Sequence, residues 1–463
     1  MRLASRVLAL ASGFAFACAS LAPPKEPLVP TPKDALPIVP PAPDATSDPE
    51  FPVVHTTKLD SGLTVIRAPR SESQTVGIAL VSRAPHPIHA GAFEARSVVQ
   101  RLLLWQSPLA AYGYSGESDT QGTLLQTEVL APDAERAMRG LADVFRSTRW
   151  PADMVTDALQ VEATQRHSEA WTPGLVARAQ VMARLFEGDE ALGVTDDARR
   201  MFLESLSPDD VSNLAHSLYA TSHSALCVVG DEATTESLVA LAATLPLATT
   251  SPDPLGAMLQ PTPVANAVYV VDMASPQAHV AAAFVAPLAS EADFPAMWLL
   301  DRLAGRMFTS ALNLDLREGR ALSYNPRTSM VTSLAFGAWL FEAAVDGDRV
   351  SDAISALHAQ FQRMTIDISA DEFERSKAMA VAELEARLET NGGLLSWLAW
   401  RFQQGLETTD VASFLQRVRG LALSTVQEFA RYHIPEHLGP VVIVGAGQYI
   451  RAQLQWTDYR ATN

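Results

Sequence analysis

The sequence predicts an α+β protein of two homologous domains, each a largely antiparallel or mixed sheet with helices packed on it. Each half of the chain reads as two strands, a series of helices and a late buried strand, and one helix–strand–glycine pattern occurs in both halves. A chain of 463 residues with 48% hydrophobic and 19% charged content can bury the cores of two domains. The order of elements does not fit a parallel nucleotide-binding sheet.

Residues 1–19 are predicted to be a signal peptide, since Arg2 and Arg6 precede an apolar stretch that is too short to span a membrane. Ala15-Phe16-Ala17-Cys18 loosely resembles a bacterial lipoprotein cleavage site, which would make Cys18 a lipidation site. Cleavage after Ala19 and an uncleaved anchor are the alternatives. The protein is therefore expected to be exported and periplasmic, either free or held at the membrane by a lipid.

Residues 20–52 are predicted to be a linker, because prolines dominate them and prevent helix formation and strand pairing. One further cysteine, Cys227, lies in an apolar run. If Cys18 is removed or lipidated, no disulfide can form within the chain, and stability must come from the cores.

The formal net charge of −17 argues against nucleic acid and anionic membrane surfaces as partners, because no basic patch is evident along the chain. A basic substrate or partner would be attracted. The only membrane contact expected is through the lipid at the N-terminus.

Hydrophobic periodicity predicts the elements of both halves. In the first half, strands are predicted at 64–67, 76–82 and 226–229, and helices at 92–106, 134–147, 154–170, 175–186 and 208–218. In the second half, strands are predicted at 268–272, 280–285 and 441–444, and helices at 294–303, 350–364, 370–388 and 424–432. The apolar run at 394–402, with Trp397 and Trp400, is predicted to be core, and Asn391-Gly392-Gly393 before it a plain loop rather than a hinge.

A duplication is inferred from two matches between the halves. The strand ending at Gly230 matches the strand ending at Gly445 at an offset of 215, and residues 75–81 match 279–285 at an offset of 204. Chance similarity of short apolar strands is the alternative. Prolines interrupt the pattern at 249–263, so the predicted domains are 53–250 and 264–463.

The stretch at 316–324 places a fixed cation, Arg317, and a phenol, Tyr324, on either side of a turn at Gly319. Both side chains can donate hydrogen bonds to a peptide carbonyl. The alternative is that Arg317 pairs with Asp315 or Glu318 and that Tyr324 caps a core.

This stretch resembles a known family signature. Ser310-Ala311-Leu312 followed by Leu316-Arg317-Glu318, Arg320, Leu322 and Tyr324 is similar to the second-domain signature of the pitrilysin/insulinase metallopeptidases, which include the mitochondrial processing peptidases. The resemblance implies two like domains in one half of a clamshell. It also implies that Arg317 and Tyr324 bind the substrate backbone near the zinc. Ala321 departs from the signature, where the family usually has glycine.

The resemblance also implies a zinc site in the first domain, where the family carries H-x-x-E-H on a helix. The matching positions here are Ser97-Val98-Val99-Gln100-Arg101. Serine is a poor zinc ligand, Gln100 cannot act as a general base, and Arg101 repels a metal. Glu162 lies roughly where the family has its third ligand, and without partners it is expected to be a surface glutamate. No catalytic residue, metal or cofactor is expected in this chain.

Two other histidine pairs offer weaker metal sites. His433-Ile434-Pro435-Glu436-His437 matches H-x-x-E-H literally, but Pro435 opposes the helical turn that the motif needs, so a turn is predicted. His86-Pro87-Ile88-His89, with Glu94 nearby, is predicted to be a solvated loop. Neither a G-x-S-x-G nucleophile motif nor a phosphate-binding glycine loop is present.

The leading hypothesis is a non-catalytic subunit of an exported pitrilysin-type metalloendopeptidase complex. As the resemblance implies, it would form a heterodimer with a zinc-bearing chain of the same family, to whose peptide substrate it supplies Arg317 and Tyr324. One alternative is a catalytically dead peptide-binding or scaffold protein. The other is an independent metalloprotease that uses His433 and His437.

Overall fold

Two six-stranded sheets, one from each half of the chain, form the framework of the protein. The structure is a computed structural model, and it describes residues 51–71, 73–83, 91–146, 148–189, 191–192, 196–249, 258–262, 267–436, 438–454 and 460–462. The predicted signal peptide with Cys18, most of the predicted linker, residues 86–89 and His437 lie outside the described residues.

The first sheet has the strand order β1-β2-β6-β3-β5-β4. Its strands are β1 (His55–Lys58), β2 (Thr64–Pro69), β3 (Thr75–Arg83), β4 (Ser115–Ser118), β5 (Gly122–Leu130) and β6 (Ser224–Gly230). Strands β2 and β6 are parallel, and all the other pairs are antiparallel.

The second sheet has the order β12-β7-β11-β8-β10-β9. Its strands are β7 (Ala267–Asp272), β8 (Gln277–Val285), β9 (Arg327–Thr332), β10 (Gly337–Asp346), β11 (Val441–Gly445) and β12 (Arg460–Thr462). Both β11 and β12 pair with β7 in parallel, and the remaining pairs are antiparallel. From β2 to β4 and from β7 to β9, the two sheets therefore have the same order and the same directions.

Strand register refines the internal match between the halves. Ile78 pairs with Val228 in the first sheet, and Val280 pairs with Ile443 in the second. If β6 and β11 correspond at an offset of 215, then β3 and β8 correspond at 202 (280 − 78), and the offset of 204 is wrong by two residues. Because side chains alternate with a period of two, a slip of two leaves every residue on the same face. The sequence pattern therefore could not distinguish the two registers.

Fifteen helices are described. In the first half they are α1 (Ala92–Leu104), α2 (Ser107–Ala111), α3 (Ala134–Arg146), α4 (Ala152–Ala170), α5 (Pro173–Leu185), α6 (Asp196–Ser205), α7 (Pro208–Leu218) and α8 (Glu232–Ala242). In the second half they are α9 (Phe294–Asp301), α10 (Val350–Ile366), α11 (Ala370–Glu389), α12 (Asn391–Gln403), α13 (Ala412–Arg419), α14 (Leu423–His433) and α15 (Gly447–Leu454). Two π-helical segments, Arg302–Arg306 and Asn313–Gly319, come between α9 and β9. The predicted α+β class, with helices packed on mixed sheets, is confirmed.

One helix from each half of the chain packs on the sheet formed by the other half. Helix α5 packs on β8, β10 and β11, whereas α12 packs on β3 and β6. Trp397 of α12 is buried, so the predicted core role of residues 394–402 is confirmed. The loop prediction for Asn391-Gly392-Gly393 is wrong, because α12 begins at Asn391 with the Thr390 hydroxyl accepting a hydrogen bond from the Gly393 N–H at 3.0 Å. The domain limits stay a prediction.

The first sheet separates two layers of core. Ala79 and Val81 of β3 face the core that contains α12, whereas Ile78 and Leu80 face the core that contains α1. The alternation of β3 thus fixes which side of the sheet each helix covers. Among the described residues, no helix is both long enough and apolar enough to cross a lipid bilayer.

Candidate functional site

Helix α1 carries the positions where the resembled family has its zinc motif. Val98, Val99 and Leu102 are buried on the sheet side, as the helical period requires. Ser97 is half-buried, and its hydroxyl donates to the Phe93 carbonyl oxygen one turn earlier at 3.5 Å. The serine is therefore occupied within its own helix.

Gln100 stands where the family has its catalytic glutamate, and it is buried. Its Nε2 donates to the carbonyl oxygen of Leu124 at 2.8 Å and also to that of Glu117. A deprotonated carboxylate cannot donate these bonds. Gln100 thus ties α1 to the β4–β5 hairpin.

Glu162 on α4 is fully buried, so its expected place on the surface is wrong. Its Oε2 accepts from Arg101 Nη2 at 2.9 Å, and its Oε1 accepts from Arg166 Nε at 2.8 Å. Because α4 packs against α1, the carboxylate is shielded from water, and two guanidinium groups balance its charge.

Further charges extend this cluster. Burial alone would lower the pKa of Arg166, but the charge of Glu162 and its hydrogen bond outweigh burial, with Glu169 and Glu94 adding to them, so the pKa is raised. Glu94, also buried, lies 2.6 Å from Nε of Arg199. Helices α1, α4 and α6 are thus joined by ion pairs.

These residues do not fit a zinc ion. A guanidinium has no lone pair to offer, and the one on Arg101 is bonded to the carboxylate that stands at the family's third ligand position. Within the part of the chain that the structure describes, no group of three His, Cys, Asp or Glu residues is arranged to hold a metal ion.

Arg317 and Tyr324 lie together near the end of the second π-helical segment. The guanidinium carbon of Arg317 is 4.6 Å from the Tyr324 ring centroid and 5.0 Å from that of Phe308. Its Nε lies 3.2 Å from Oε1 of Glu318. The cation therefore contacts the faces of two aromatic rings, one of which, that of Tyr324, belongs to a residue that is 80% exposed.

The two side chains do not share one cavity. Tyr324 borders a cavity of about 380 Å³ between the start of α5 and strand β8, and Arg317 does not line it. The alternative interpretation had two parts. Arg317 does pair with Glu318, but Tyr324 does not cap a core, because it is exposed. Substrate binding by this pair stays a prediction.

Ala321, the residue that departs from the family signature, has a φ of +49°. This left-handed conformation costs an alanine roughly 1 kcal/mol and a glycine almost nothing. We expect Ala321→Gly to raise the free energy of unfolding by about 0.5–1 kcal/mol in urea denaturation. The matched control is Ala243→Gly, also exposed but with φ −63°, which should lower stability by a similar amount. Equal shifts at both sites would contradict strain at position 321.

Of the other candidate residues, His433 and Cys227 are described, and neither has the surroundings of a metal ligand or a nucleophile. Helix α14 ends at His433, Ile434 is extended, and the His433 ring stacks on Phe429 with its Nδ1 3.1 Å from the Phe429 carbonyl oxygen. The literal motif is therefore not one helical turn. Burial raises the pKa of the Cys227 thiol, which leaves it unreactive.

Comparison with known proteins shows which family part of the chain resembles. Residues 205–380 match the family model described as the peptidase M16 inactive domain. Over these residues the chain is similar to the inactive domain of the pitrilysin-like M16 peptidases. The resemblance inferred from the 310–324 signature is thereby confirmed. No curated protein matches this chain in sequence.

Solved structures of similar fold cover most of this chain. An M16 inactive domain from Pseudomonas fluorescens is 16% identical over 85% of this chain and 98% of its own, with a TM-score of 0.73. A protease from Helicobacter pylori is 14% identical over 86% and 100%, with a TM-score of 0.76. A chain of complex III2 from Candida albicans is 14% identical over 88% and 100%, with a TM-score of 0.71. At these identities the likeness establishes the fold alone.

Sequence reasoning missed the charged residues around Glu162. Arg166 follows it by four residues on the same helix, a spacing that favours an ion pair, and this signal was available. The ion pair of Arg199 with Glu94 could not be predicted, because the two residues are far apart in the sequence and helix α6, which carries Arg199, was not predicted.

Proposed function

We propose that this chain is the non-catalytic subunit of an exported metalloendopeptidase complex. It forms a heterodimer with a zinc-bearing chain of the same family, which supplies the metal and the general base. The observation that carries the proposal is the ion pair of Arg101 with the buried Glu162 at the family's metal-binding positions. A chain with this ion pair in place of the zinc ligands can contribute to peptide hydrolysis only if a partner supplies the zinc ion and the general base.

The proposed contribution of this chain is to hold the substrate. The guanidinium of Arg317 contacts the rings of Phe308 and Tyr324, which restricts its rotamers, while its side chain remains 29% exposed. A peptide carbonyl oxygen can accept hydrogen bonds from the guanidinium and from the Tyr324 hydroxyl. The same donors would stabilise negative charge that develops on that oxygen during hydrolysis.

The proposed location is the periplasm. It rests on the predicted signal peptide and linker, and Cys18 would carry a lipid that anchors the complex at the membrane. The net charge of −17 favours basic peptides over acidic ones as substrates.

The test is to purify the chain alone and together with an M16 chain that has an intact H-x-x-E-H motif, and to measure peptide hydrolysis and bound zinc. We expect hydrolysis only in the complex, with zinc bound by the partner. One zinc per chain in the isolated protein, with activity abolished by His433→Ala, would refute the proposal in favour of an independent metalloprotease.

In the active complex, Arg317→Ala should lower kcat/KM by about tenfold to a hundredfold, since a charge-assisted hydrogen bond contributes roughly 1.5–3 kcal/mol. Tyr324→Phe should have a smaller effect, because it removes one neutral donor and keeps the ring under Arg317. Arg136→Ala, which removes an exposed arginine paired with Asp133, is the matched control. Equal rates for the Arg317 variant and this control would remove the pair from the substrate site.

A scaffold or peptide-binding role is the second candidate, and the similarity to a chain of complex III2 favours it. A neighbouring gene for a similar chain with an intact zinc motif supports the protease complex. Without such a gene, and with no hydrolysis in any pairing, the scaffold role is supported.

A further inference from the structure

A cavity of about 320 Å³ lies between the β4–β5 hairpin of the first half and the helices of the second half. It is on the α12 side of the first sheet, because Leu124, which lines it, belongs to the core that contains α12. The Arg101–Glu162 pair joins α1 and α4, outside this lining. Its volume is at the lower end of the range of roughly 300–1,000 Å³ for small-molecule sites. We call it the arginine–tryptophan cavity.

One wall of the cavity is basic. Arg302, Arg306 and Arg387 line it. Arg302 is 9% exposed, its guanidinium carbon lies 3.4 Å above the Trp298 ring, and its nearest carboxylate oxygen, on Glu383, is 4.0 Å from Nε. Burial is the main cause that lowers the pKa of Arg302 to about 10; the charges of Asp301 and Glu383 oppose this shift, and those of Arg306 and Arg387 add to it. These cations are therefore close enough to repel one another.

Within the described residues, Arg306 and Arg387 have no carboxylate within 4.0 Å, and no hydrogen-bond acceptor faces Nε of Arg302. Asp301, which also lines the cavity, has its Oδ1 2.8 Å from the Trp339 indole nitrogen that donates to it. The guanidinium groups of the basic wall therefore keep N–H donors that could bind a ligand.

The part of the lining that the β4–β5 hairpin supplies, here called the acidic wall, carries two carboxylates, those of Glu117 and Asp119. Burial raises the pKa of Asp119, and Glu117 adds to the rise, whereas the backbone N–H groups of Gln121 and Gly122 and the charge of Arg96 lower it. The side chain of Glu117 has no ion-pair partner among the residues that the structure describes. The two walls have opposite charge and are not joined by ion pairs.

The remaining lining is aromatic. Trp397 and Trp400 stack with ring centroids 4.9 Å apart. Trp397 is 6% exposed, and its indole N–H is buried without a hydrogen-bond acceptor in the described part of the chain. A buried donor of this kind costs free energy unless a ligand or water accepts from it.

We propose that the arginine–tryptophan cavity binds a small zwitterion with an apolar side chain, either an α-amino acid or a dipeptide. Its carboxylate would accept hydrogen bonds from the arginines and from the Trp397 indole. Its ammonium group would pair with Glu117 and Asp119, and its side chain would lie against the tryptophans. A simple anion would be repelled by the acidic wall, and a simple cation by the basic wall.

The experiment is calorimetric titration of the full chain with the dipeptide Leu-Leu, with N-acetyl-Leu-Leu, which lacks the ammonium group, and with Leu-Leu amide, which lacks the carboxylate. We expect Leu-Leu to bind saturably and each blocked form to bind at least about tenfold more weakly. Blocked forms that bind as well as Leu-Leu, or an absence of binding at millimolar concentration, would overturn the proposal. Binding of inorganic phosphate in place of the dipeptide would also overturn it.

Variants locate the site. Arg302 is buried, and its replacement risks misfolding, so the test uses the exposed residues Arg306 and Glu117. Arg306→Met should weaken Leu-Leu binding by about fivefold or more and leave the affinity for Leu-Leu amide unchanged. Glu117→Gln should also weaken Leu-Leu binding by about fivefold or more, and it should leave the affinity for N-acetyl-Leu-Leu unchanged. Arg136→Met is the control and should bind Leu-Leu as the wild type does. If both cavity variants also kept wild-type affinity, the dipeptide would have to bind outside this cavity.

Discussion

Arg101→Met is expected to lower the free energy of unfolding by about 3 kcal/mol, because it removes one of the two cations that balance the fully buried carboxylate of Glu162. Methionine keeps much of the side-chain volume, so the loss is mainly electrostatic. Urea denaturation followed by tryptophan fluorescence measures it. A change below about 1 kcal/mol would mean that the carboxylate is hydrated or protonated instead of paired.

The matched control for this prediction is Arg139→Met. Arg139 pairs with Glu135 on the exposed surface of α3, with an N–O distance of 3.5 Å, and such pairs contribute less than about 1 kcal/mol. Combining Arg101→Met with Glu162→Leu should cost less than the sum of the two single changes, because no isolated charge then remains buried. Strict additivity would show that the two residues act independently.

Gly393→Ala is expected to prevent stable folding or to lower stability by more than about 4 kcal/mol. A Cβ at this position would lie 1.8 Å from the Arg387 carbonyl oxygen and 2.7 Å from the Thr390 hydroxyl oxygen that caps α12. The start of the helix would have to move, and α12 is buried against β3 and β6. Soluble yield and urea denaturation report the effect.

Gly392→Ala is the control for Gly393→Ala. Its added Cβ would meet only the end of the Glu128 side chain, at 3.2 Å, which can rotate away. Alanine also favours the helix more than glycine, so the net change should stay within about 1 kcal/mol of zero. If both variants behaved alike, backbone contact at residue 393 could not be the cause.

How far local sequence determines structure differs from element to element. Hydrophobic periodicity predicted the helix at 208–218 with its observed limits, and the structure shows a capping box of Ser207 and Asp210, with Pro208 in the first turn, that fixes its start. Helix α12 was missed because Asn391-Gly392-Gly393 resembles a loop, and only the close approach to the Arg387 carbonyl shows why glycine is present. Local sequence is thus sufficient to explain the limits of the helix at 208–218, whereas the start of α12 depends on tertiary packing.

The candidate site shows the same division. The family signature around Arg317 and Tyr324 could be recognised from the sequence alone, and the left-handed backbone at Ala321 accounts for the glycine that the family prefers there. The burial of Glu162 could not be predicted, because its neighbours on α4 are mostly polar and its shielding comes from α1. Nor did the sequence indicate that charges distant along the chain line the arginine–tryptophan cavity.

The exchange of α5 and α12 between the two sheets limits how the protein can move. Swinging one sheet away from the other would peel α12 off β3 and expose apolar surface to water, which opposes such a motion. The chain is therefore expected to behave as a single stiff lobe. In the proposed complex, an opening that admits a peptide would therefore have to form at the interface between this chain and its partner.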